Sequence, residues 1–296
     1  MVPKQGRAMI LKISPRLIAH CESSPAGRLW LEQLPDAVAA LAQRWSLTLG
    51  APFEHSDVGC SWVAPATRTD GTAAILKVAL RHFEGEHEIE GLRFWGGDGM
   101  VRLLEAEESL GALLLERCEP GTTLRTLPEP EQDVVIASLL RRLWRPAPSS
   151  HPFRSLSEML RRWREEIIAR QEAWPDPVWT REALQLFEEL SRPTPTDVLL
   201  VTDLHAGNVL RARREAWLAI DPKPFVGDAT YDATQHLLNC RARLEADAED
   251  TIRRFADRLE IDAQRLRWWT FARLGAEPGD APCHENSAAL ARKLAP

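Results

Sequence analysis

Asp203 and Asn208 are separated by four residues in Val201-Thr202-Asp203-Leu204-His205-Ala206-Gly207-Asn208-Val209-Leu210, and a short apolar stretch then ends in Ile220-Asp221-Pro222. If that stretch folds as a hairpin with Arg214-Glu215 as its two-residue turn, Asn208 faces Asp221 directly. Side chains opposed in this way have Cβ atoms about 5 Å apart. An amide oxygen and a carboxylate converging at one end of a hairpin suit Mg²⁺, a hard cation held by one or two carboxylates, water and phosphate oxygens. Phosphoryl transfer uses an Asp that orients the attacking hydroxyl and accepts its proton, with an Asn and a distant Asp holding Mg²⁺ on the phosphates. Asp203, Asn208 and Asp221 fit these three roles in that order. Turn capping would explain Asp203 or Asn208 alone, but it explains the three together poorly.

A second constellation lies upstream. Lysine is scarce: Lys4, Lys12, Lys77, Lys223 and Lys293 are the only ones. Ala73-Ala74-Ile75-Leu76-Lys77-Val78 reads as an apolar strand carrying one of them. It resembles the strand that sets a lysine against nucleotide α/β-phosphates. Such a lysine needs a carboxylate to hold it, and the following helix offers Glu86, Glu88 and Glu90. Glu88 shares the inward face of Leu92 and Trp95 by its spacing, whereas Glu86 and Glu90 read as solvated. At the end of Leu113-Leu114-Leu115-Glu116-Arg117-Cys118, backbone groups at Glu116 and Cys118 are placed to read an adenine edge. The plain alternative is the last strand of a sheet. Backbone contacts carry no side-chain signature, so both readings stand.

The elements that must position these residues follow from periodicity and turn signals. A helix is expected over 36–48, with Val38, Leu41, Ala42 and Trp45 on one face. Strands are expected over 58–68 and 72–80, joined at Asp70-Gly71 by a tight turn of the type that needs positive φ at both central residues. A helix over 84–95 and strands over 99–104 and 110–117 come next. Prolines 120, 128 and 130 then mark a change of character. Helical periods dominate 131–191, with breaks near 146–152 and 175–177. Short strands are expected at 198–201 and within 207–221, and helix over 230–274. The class is α+β: a β-rich first part, 1–117, and a mostly helical second part, 118–296. Substrates commonly bind between two such parts.

Composition narrows the partners. The 296 residues carry 37 Lys+Arg and 43 Asp+Glu, a net charge of −6. That balance disfavours nucleic acid, which requires a basic surface, and suits a neutral or cationic small molecule. No apolar run approaches the roughly 18 residues of a membrane span, and 1–18 fails as a signal peptide. Five widely spaced cysteines without a Cys-x-x-Cys read as reduced thiols of a cytoplasmic protein. Neither G-x-x-x-x-G-K-[ST] nor G-x-G-x-x-G occurs. Gly59 alone marks the start of the first hairpin, so a phosphate-covering loop there would be glycine-poor. A different reading makes Asp203, His205, Asp221, Asp228, Asp232 and His236 ligands of a dinuclear metal hydrolase. It leaves Lys77 without a role, and Asp228 is well placed instead to cap a helix from Ala229.

The runs DLHAGNVL at 203–210 and IDPKPFVGDATYD at 220–232 resemble the aminoglycoside phosphotransferase superfamily, and more narrowly its streptomycin 6-kinase/hydroxyurea phosphotransferase group. LTLGAPF at 47–53, GDGMVRLLEAEESLGALLLERCEPGTTL at 97–124 and DATQHLLNC at 232–240 support the resemblance, which spans about 30–270. It implies a protein-kinase-like two-lobed fold, ATP (or GTP), Mg²⁺ and a small hydroxylated acceptor, with no protein partner. Carried onto this chain, Lys77 and Glu88 become the phosphate clamp, Asp203 the base, and Asn208 and Asp221 the metal ligands. A cationic aminoglycoside, above all streptomycin, is the expected acceptor. Hydroxyurea, a sugar or another small alcohol is the alternative, and a silent nucleotide-binding pseudokinase is the non-enzymatic one. Two departures from relatives leave the reacting groups intact: Val201-Thr202 replaces His-Gly, and Ala229 stands where Pro is frequent. Gly275, Pro278, Gly279 and Pro282 break the C-terminal helix, where this superfamily lines its acceptor pocket.

Overall fold

A computed structural model describes residues 11–53, 60–174, 176–276 and 287–296. Gly59 and Cys283, and the breakers Pro278, Gly279 and Pro282, lie outside the described residues. The chain forms two compact units. Met1–Gly97 with Val101–Cys118 make the first, and Asp98–Met100 with Glu119–Pro296 make the second.

The first unit opens with α1 (Pro15–Glu22) and α2 (Pro25–Arg44). Ser14 and Ser24 cap them, each accepting a backbone N–H three residues on, and proline follows each cap at the first helical position. That Ser-Pro pairing satisfies a free donor and pre-sets φ for the first turn. The helix expected at 36–48 therefore starts eleven residues earlier, at Pro25, and carries Pro35 in its interior. Its buried face is Gly27, Leu34, Val38 and Leu41. A Cβ on Gly27 would lie 2.2 Å from the Cys21 carbonyl oxygen, so the close approach of α1 and α2 requires glycine there.

The sheet follows as β1 (Leu47–Leu49), β2 (Ser61–Arg68) and β3 (Ala73–Ala79). Then come α3 (Glu88–Trp95), β4 (Leu103–Glu107) and β5 (Ala112–Glu116). All neighbours are antiparallel, in the order β1-β2-β3-β5-β4. Ala64 and Ala66 of β2, Ala74, Leu76 and Val78 of β3, and Ala112 and Leu114 of β5 bury one face against Leu34, Val38 and Leu41 of α2. The β2–β3 hairpin is one residue longer than expected. Arg68 N donates to Thr72 O, leaving three loop residues, and of Asp70 and Gly71 only the glycine has positive φ, +85°. Asp70 instead accepts the Thr72 N–H. Helix α3 starts at Glu88 rather than 84, after a turn over 83–87. The strand expected over 99–104 lies at 103–107, because Gly96, Gly97 and Gly99 all take positive φ.

The second unit contains α4 (Glu129–Leu143), α5 (Leu156–Ile168) and α6 (Pro177–Leu190). After them come β6 (Val198–Leu200), β7 (Val209–Arg211), β8 (Trp217–Ala219) and β9 (Phe225–Gly227). It closes with α7 (Ala229–Asn239), α8 (Arg241–Ala246), α9 (Ala248–Leu259), α10 (Ala263–Gly275) and α11 (Ser287–Leu294). The single helical stretch expected over 230–274 is thus four helices, and helix resumes beyond the expected break. The pairs β6–β9 and β7–β8 form two small antiparallel sheets, with β9 unanticipated. Around them Phe187, Phe225, Tyr231, Phe255, Trp269 and Phe271 are fully buried. No helix among the described residues is long and apolar enough to cross a membrane.

Candidate active site

Strand β3 gives Lys77 to the sheet face opposite Ala74, Leu76 and Val78, since alternate residues point to opposite faces. In register it lies between Val63 of β2 and Leu113 of β5. Its Nζ donates to both carboxylate oxygens of Glu88, at 2.6 and 2.7 Å. The two residues are only 7% and 6% exposed. Glu88 is the first residue of α3, where an anion also meets the positive end of the helix dipole. Of the other candidates, Glu86 is exposed and Glu90 is half-buried, 3.9 Å from His87 Nδ1. Cys118, buried, and Glu116 end the first unit. The Glu116 carboxylate accepts the Arg102 N–H and its own N–H donates to the Arg102 carbonyl.

The second unit presents Asp203 from the loop after β6. Asp232, fully buried on α7, anchors that loop: Oδ2 accepts the Val201 N–H and the Trp144 indole N–H, and Oδ1 accepts the Thr202 N–H. Burial pushes its carboxyl up to about 6, outweighing these hydrogen bonds and the smaller pull of the Arg273 guanidinium. Thr202, β-branched, sits at φ +53°, a costly conformation seen mostly at functional sites. Asp203 then holds two side chains on its carboxylate. Gln235 Nε2 donates to Oδ1 at 2.8 Å, and Lys223 Nζ donates to Oδ2. Arg273 fixes that glutamine, donating to Gln235 Oε1 at 2.6 Å and to Thr234 Oγ1 at 2.8 Å.

His205 buttresses the loop. Its Nδ1 accepts the Gly207 N–H at 3.0 Å, which assigns the proton to Nε2, 3.9 Å from Asp203 Oδ1. Asn208 closes the turn by donating Nδ2 to the Asp203 backbone carbonyl at 3.0 Å. The amide nitrogen is thereby committed, and its carbonyl oxygen is the end able to ligate a cation. The hairpin register differs by one residue from expectation. Val209 pairs with Ala219 and Leu210 with Leu218, so Asn208 falls opposite Ile220, whose N–H the Asn208 backbone carbonyl accepts at 2.9 Å. The reason is a loop of three residues, 213–215, between the paired ends rather than two; a one-residue change transfers side chains to the other face. Asp221 lies one step beyond, at φ +54°, with its carboxylate half-exposed and 3.7 Å from Lys223 Nζ. One amide oxygen and one solvent-reachable carboxylate, beside a carboxylate already paired with lysine, form a donor set that fits Mg²⁺.

The hydrolase ligands do not converge. Asp228 caps α7 and binds Arg265 and Trp269 at 2.6 and 2.5 Å. His236, also on α7, hydrogen-bonds Asp133 at 2.8 Å, near Cys240. Arg243 doubly engages the same Asp133, at 2.7 and 2.8 Å, and supplies the positive charge there. Burial alone would raise Asp133, but hydrogen bonds from His236 and Arg243 outweigh it and hold it below its ordinary value. On α5 the carboxylates Glu158, Glu165 and Glu166 each pair with an arginine, at residues 154, 161 and 162. They form a solvated, self-neutralised face.

The structure thus brings Lys77 and Glu88 together in one unit, and Asp203, Asn208 and Asp221 in the other. Sequence reasoning passed over Lys223, Gln235 and Arg273. The scarcity of lysine was a signal for the first. Nothing marks the other two, which approach Asp203 only through the packing of α7 and α10.

An antiparallel sheet bearing a buried Lys–Glu pair, followed by a helical unit bearing Asp, Asn and Asp on one loop and hairpin, defines a protein-kinase-like phosphotransferase. The fold likeness agrees. Choline kinase LicA from Streptococcus pneumoniae superposes with a TM-score of 0.58 at 14% identity, covering 89% of this chain and 91% of that one. A further structure of LicA is a complex with AMP. Macrolide 2′-phosphotransferase type I gives a TM-score of 0.52 at 16% identity over 88% and 96%. The family model for aminoglycoside/hydroxyurea antibiotic resistance kinases matches residues 44–278, and this chain belongs to that family. Streptomycin 6-kinase of Streptomyces griseus is 37% identical over 262 residues, 84% of this chain and 83% of the relative. Hydroxyurea phosphotransferase of Kitasatospora aureofaciens is 34% identical over 281 residues, 91% and 81%.

Proposed function

We propose that the protein transfers the γ-phosphate of ATP to a hydroxyl group of streptomycin, on its streptidine ring, and so confers resistance in the cytoplasm. The observation that carries the reaction is the Asp203 loop. Asn208 is tied to the Asp203 carbonyl, and Gln235 and Lys223 hold the Asp203 carboxylate, so base and ligand are fixed in one rigid turn. In this reading Lys77, held by Glu88, binds the α- and β-phosphates, and backbone groups at Glu116 and Cys118 receive the adenine edge. Asn208 and Asp221 would hold Mg²⁺, which would neutralise phosphate charge. The acceptor hydroxyl oxygen attacks the γ-phosphorus, the bond to the β-phosphate oxygen breaks, ADP leaves with that electron pair, and Asp203 takes the hydroxyl proton. The protein contributes positioning and fixed charge rather than covalent chemistry.

The choice of acceptor rests on the 37% identity to a streptomycin 6-kinase. The 34% identity to a hydroxyurea phosphotransferase makes hydroxyurea the second candidate. The self-paired glutamates of α5 give no independent support to a cationic acceptor. Expression in a streptomycin-sensitive host tests the reading. The parent protein raises the inhibitory concentration and Asp203→Asn does not. Equal sensitivity of the two strains, with both proteins soluble, overturns streptomycin as the acceptor.

A further inference from the structure

We infer that Lys223 is a further catalytic residue, whose ammonium group binds the γ-phosphoryl group as it passes to the acceptor. The inference rests on the phosphotransferase reading above and gives Lys223, which there only holds the Asp203 carboxylate, a direct part in the transfer. Lys223 Nζ donates to Asp203 Oδ2 and lies 3.7 Å from Asp221 Oδ2. It therefore stands between the proton acceptor and a metal ligand. The transferring group must pass between those two positions, because its attacking oxygen is oriented by the first and its phosphate oxygens face the second. Two carboxylates repel an incoming anion. A cation between them reverses that repulsion where charge spreads over the equatorial oxygens.

The lysine is presented rigidly. Pro222 and Pro224 flank it and fix their own φ angles. Its N–H donates to Val201 O at 2.9 Å, and its carbonyl accepts the Thr202 hydroxyl at 2.7 Å. The segment from Val201 to the strained Thr202, at positive φ, thus braces the stretch 222–224 that carries it. The side chain is 19% exposed, shielded yet reachable. When the γ-phosphate arrives, the ammonium exchanges Asp203 Oδ2 for a phosphate oxygen. That exchange frees Oδ2 to accept the hydroxyl proton. Lys223 itself neither gains nor loses a proton, and the bonds made and broken are those of the transfer already written.

The test measures binding and turnover separately. In the presence of Mg²⁺, calorimetry compares ADP with the nonhydrolysable β,γ-imido analogue of ATP, on the parent protein, Lys223→Met and Lys223→Arg. The expected result is that the parent prefers the analogue and Lys223→Met loses about tenfold of that preference, with ADP affinity unchanged. Turnover of Lys223→Met should fall by about 100-fold in kcat, with the acceptor KM nearly constant. Lys223→Ala should be partly restored by added ethylammonium, which a purely structural lysine would not show. Lys223→Arg keeps the fold testable if the neutral variants unfold. An unchanged analogue preference in a folded Lys223→Met or Lys223→Ala protein overturns the inference, as does unchanged kcat. If the parent phosphorylates no acceptor, the phosphotransferase reading fails, whereas the binding comparison still decides the role of Lys223.

Discussion

Removing one member of the Lys77–Glu88 pair should destabilise the first unit far more than removing both. The two side chains are 7% and 6% exposed and share two hydrogen bonds. Glu88→Leu leaves a buried ammonium without its carboxylate, and Lys77→Met leaves the converse. Each should cost about 3–5 kcal/mol. The double variant Lys77→Met/Glu88→Leu removes both desolvated charges and keeps the volume. It gives up the helix-dipole interaction of Glu88, about 0.3–1 kcal/mol, so it should lie within about 1 kcal/mol of the parent. The coupling is then at least about 5 kcal/mol. The assay is urea unfolding, paired with hydrogen exchange of the β3 and β5 amides to localise the effect. Turnover should behave oppositely, with both singles and the double inactive. A double variant that loses the sum of the two singles, or one that retains turnover, would refute the reasoning that this pair is kept for chemistry and not for stability.

Two further predictions concern the supports of Asp203. Gln235→Ala should lower kcat by about tenfold or more, the value of one hydrogen bond to a charged group, with nucleotide KM unchanged in steady-state kinetics; an unaltered kcat would exclude a positioning role. Asp232 titrates in the fold at about 6, against an ordinary 3.8. The folded protein therefore holds this proton more tightly than the unfolded chain, and stability falls by about 3 kcal/mol as pH rises from about 4 to about 6, then levels off. The difference between parent and Asp232→Asn in urea midpoints across that range isolates this group, and a difference independent of pH would show that Asp232 does not titrate there.

What was legible in the sequence differs by residue. Lys77 stood out because an apolar strand in a lysine-poor chain carried it, and Glu88 followed from helical spacing against Leu92 and Trp95. Asp203, Asn208 and Asp221 were legible by type and order. Their exact juxtaposition was not, because a hairpin register depends on loop length, and 213–215 closes with three residues where two were expected. The same one-residue error affected the Asp70-Gly71 turn, since an Asp-Gly pair serves both loop lengths. The start of α2 at Pro25 was missed because the expected helix rested on the face of Val38, Leu41, Ala42 and Trp45, whereas the Ser24-Pro25 cap lies upstream. Asp232 was read as a possible metal ligand because carboxylate type carries no burial signal; its actual work is to receive three N–H groups. Gln235 and Arg273 reach Asp203 through tertiary packing, which local periodicity does not encode.

The central claim is that the Asp203 loop carries out phosphoryl transfer to a hydroxyl. ³¹P NMR of the purified protein with ATP, Mg²⁺ and streptomycin tests it most directly. The account predicts a new phosphomonoester resonance coupled to a streptidine proton, one equivalent of ADP for each, and neither with Asp203→Asn. A spectrum showing only ADP and free phosphate, or an undiminished ester from the Asp203→Asn protein, would contradict it.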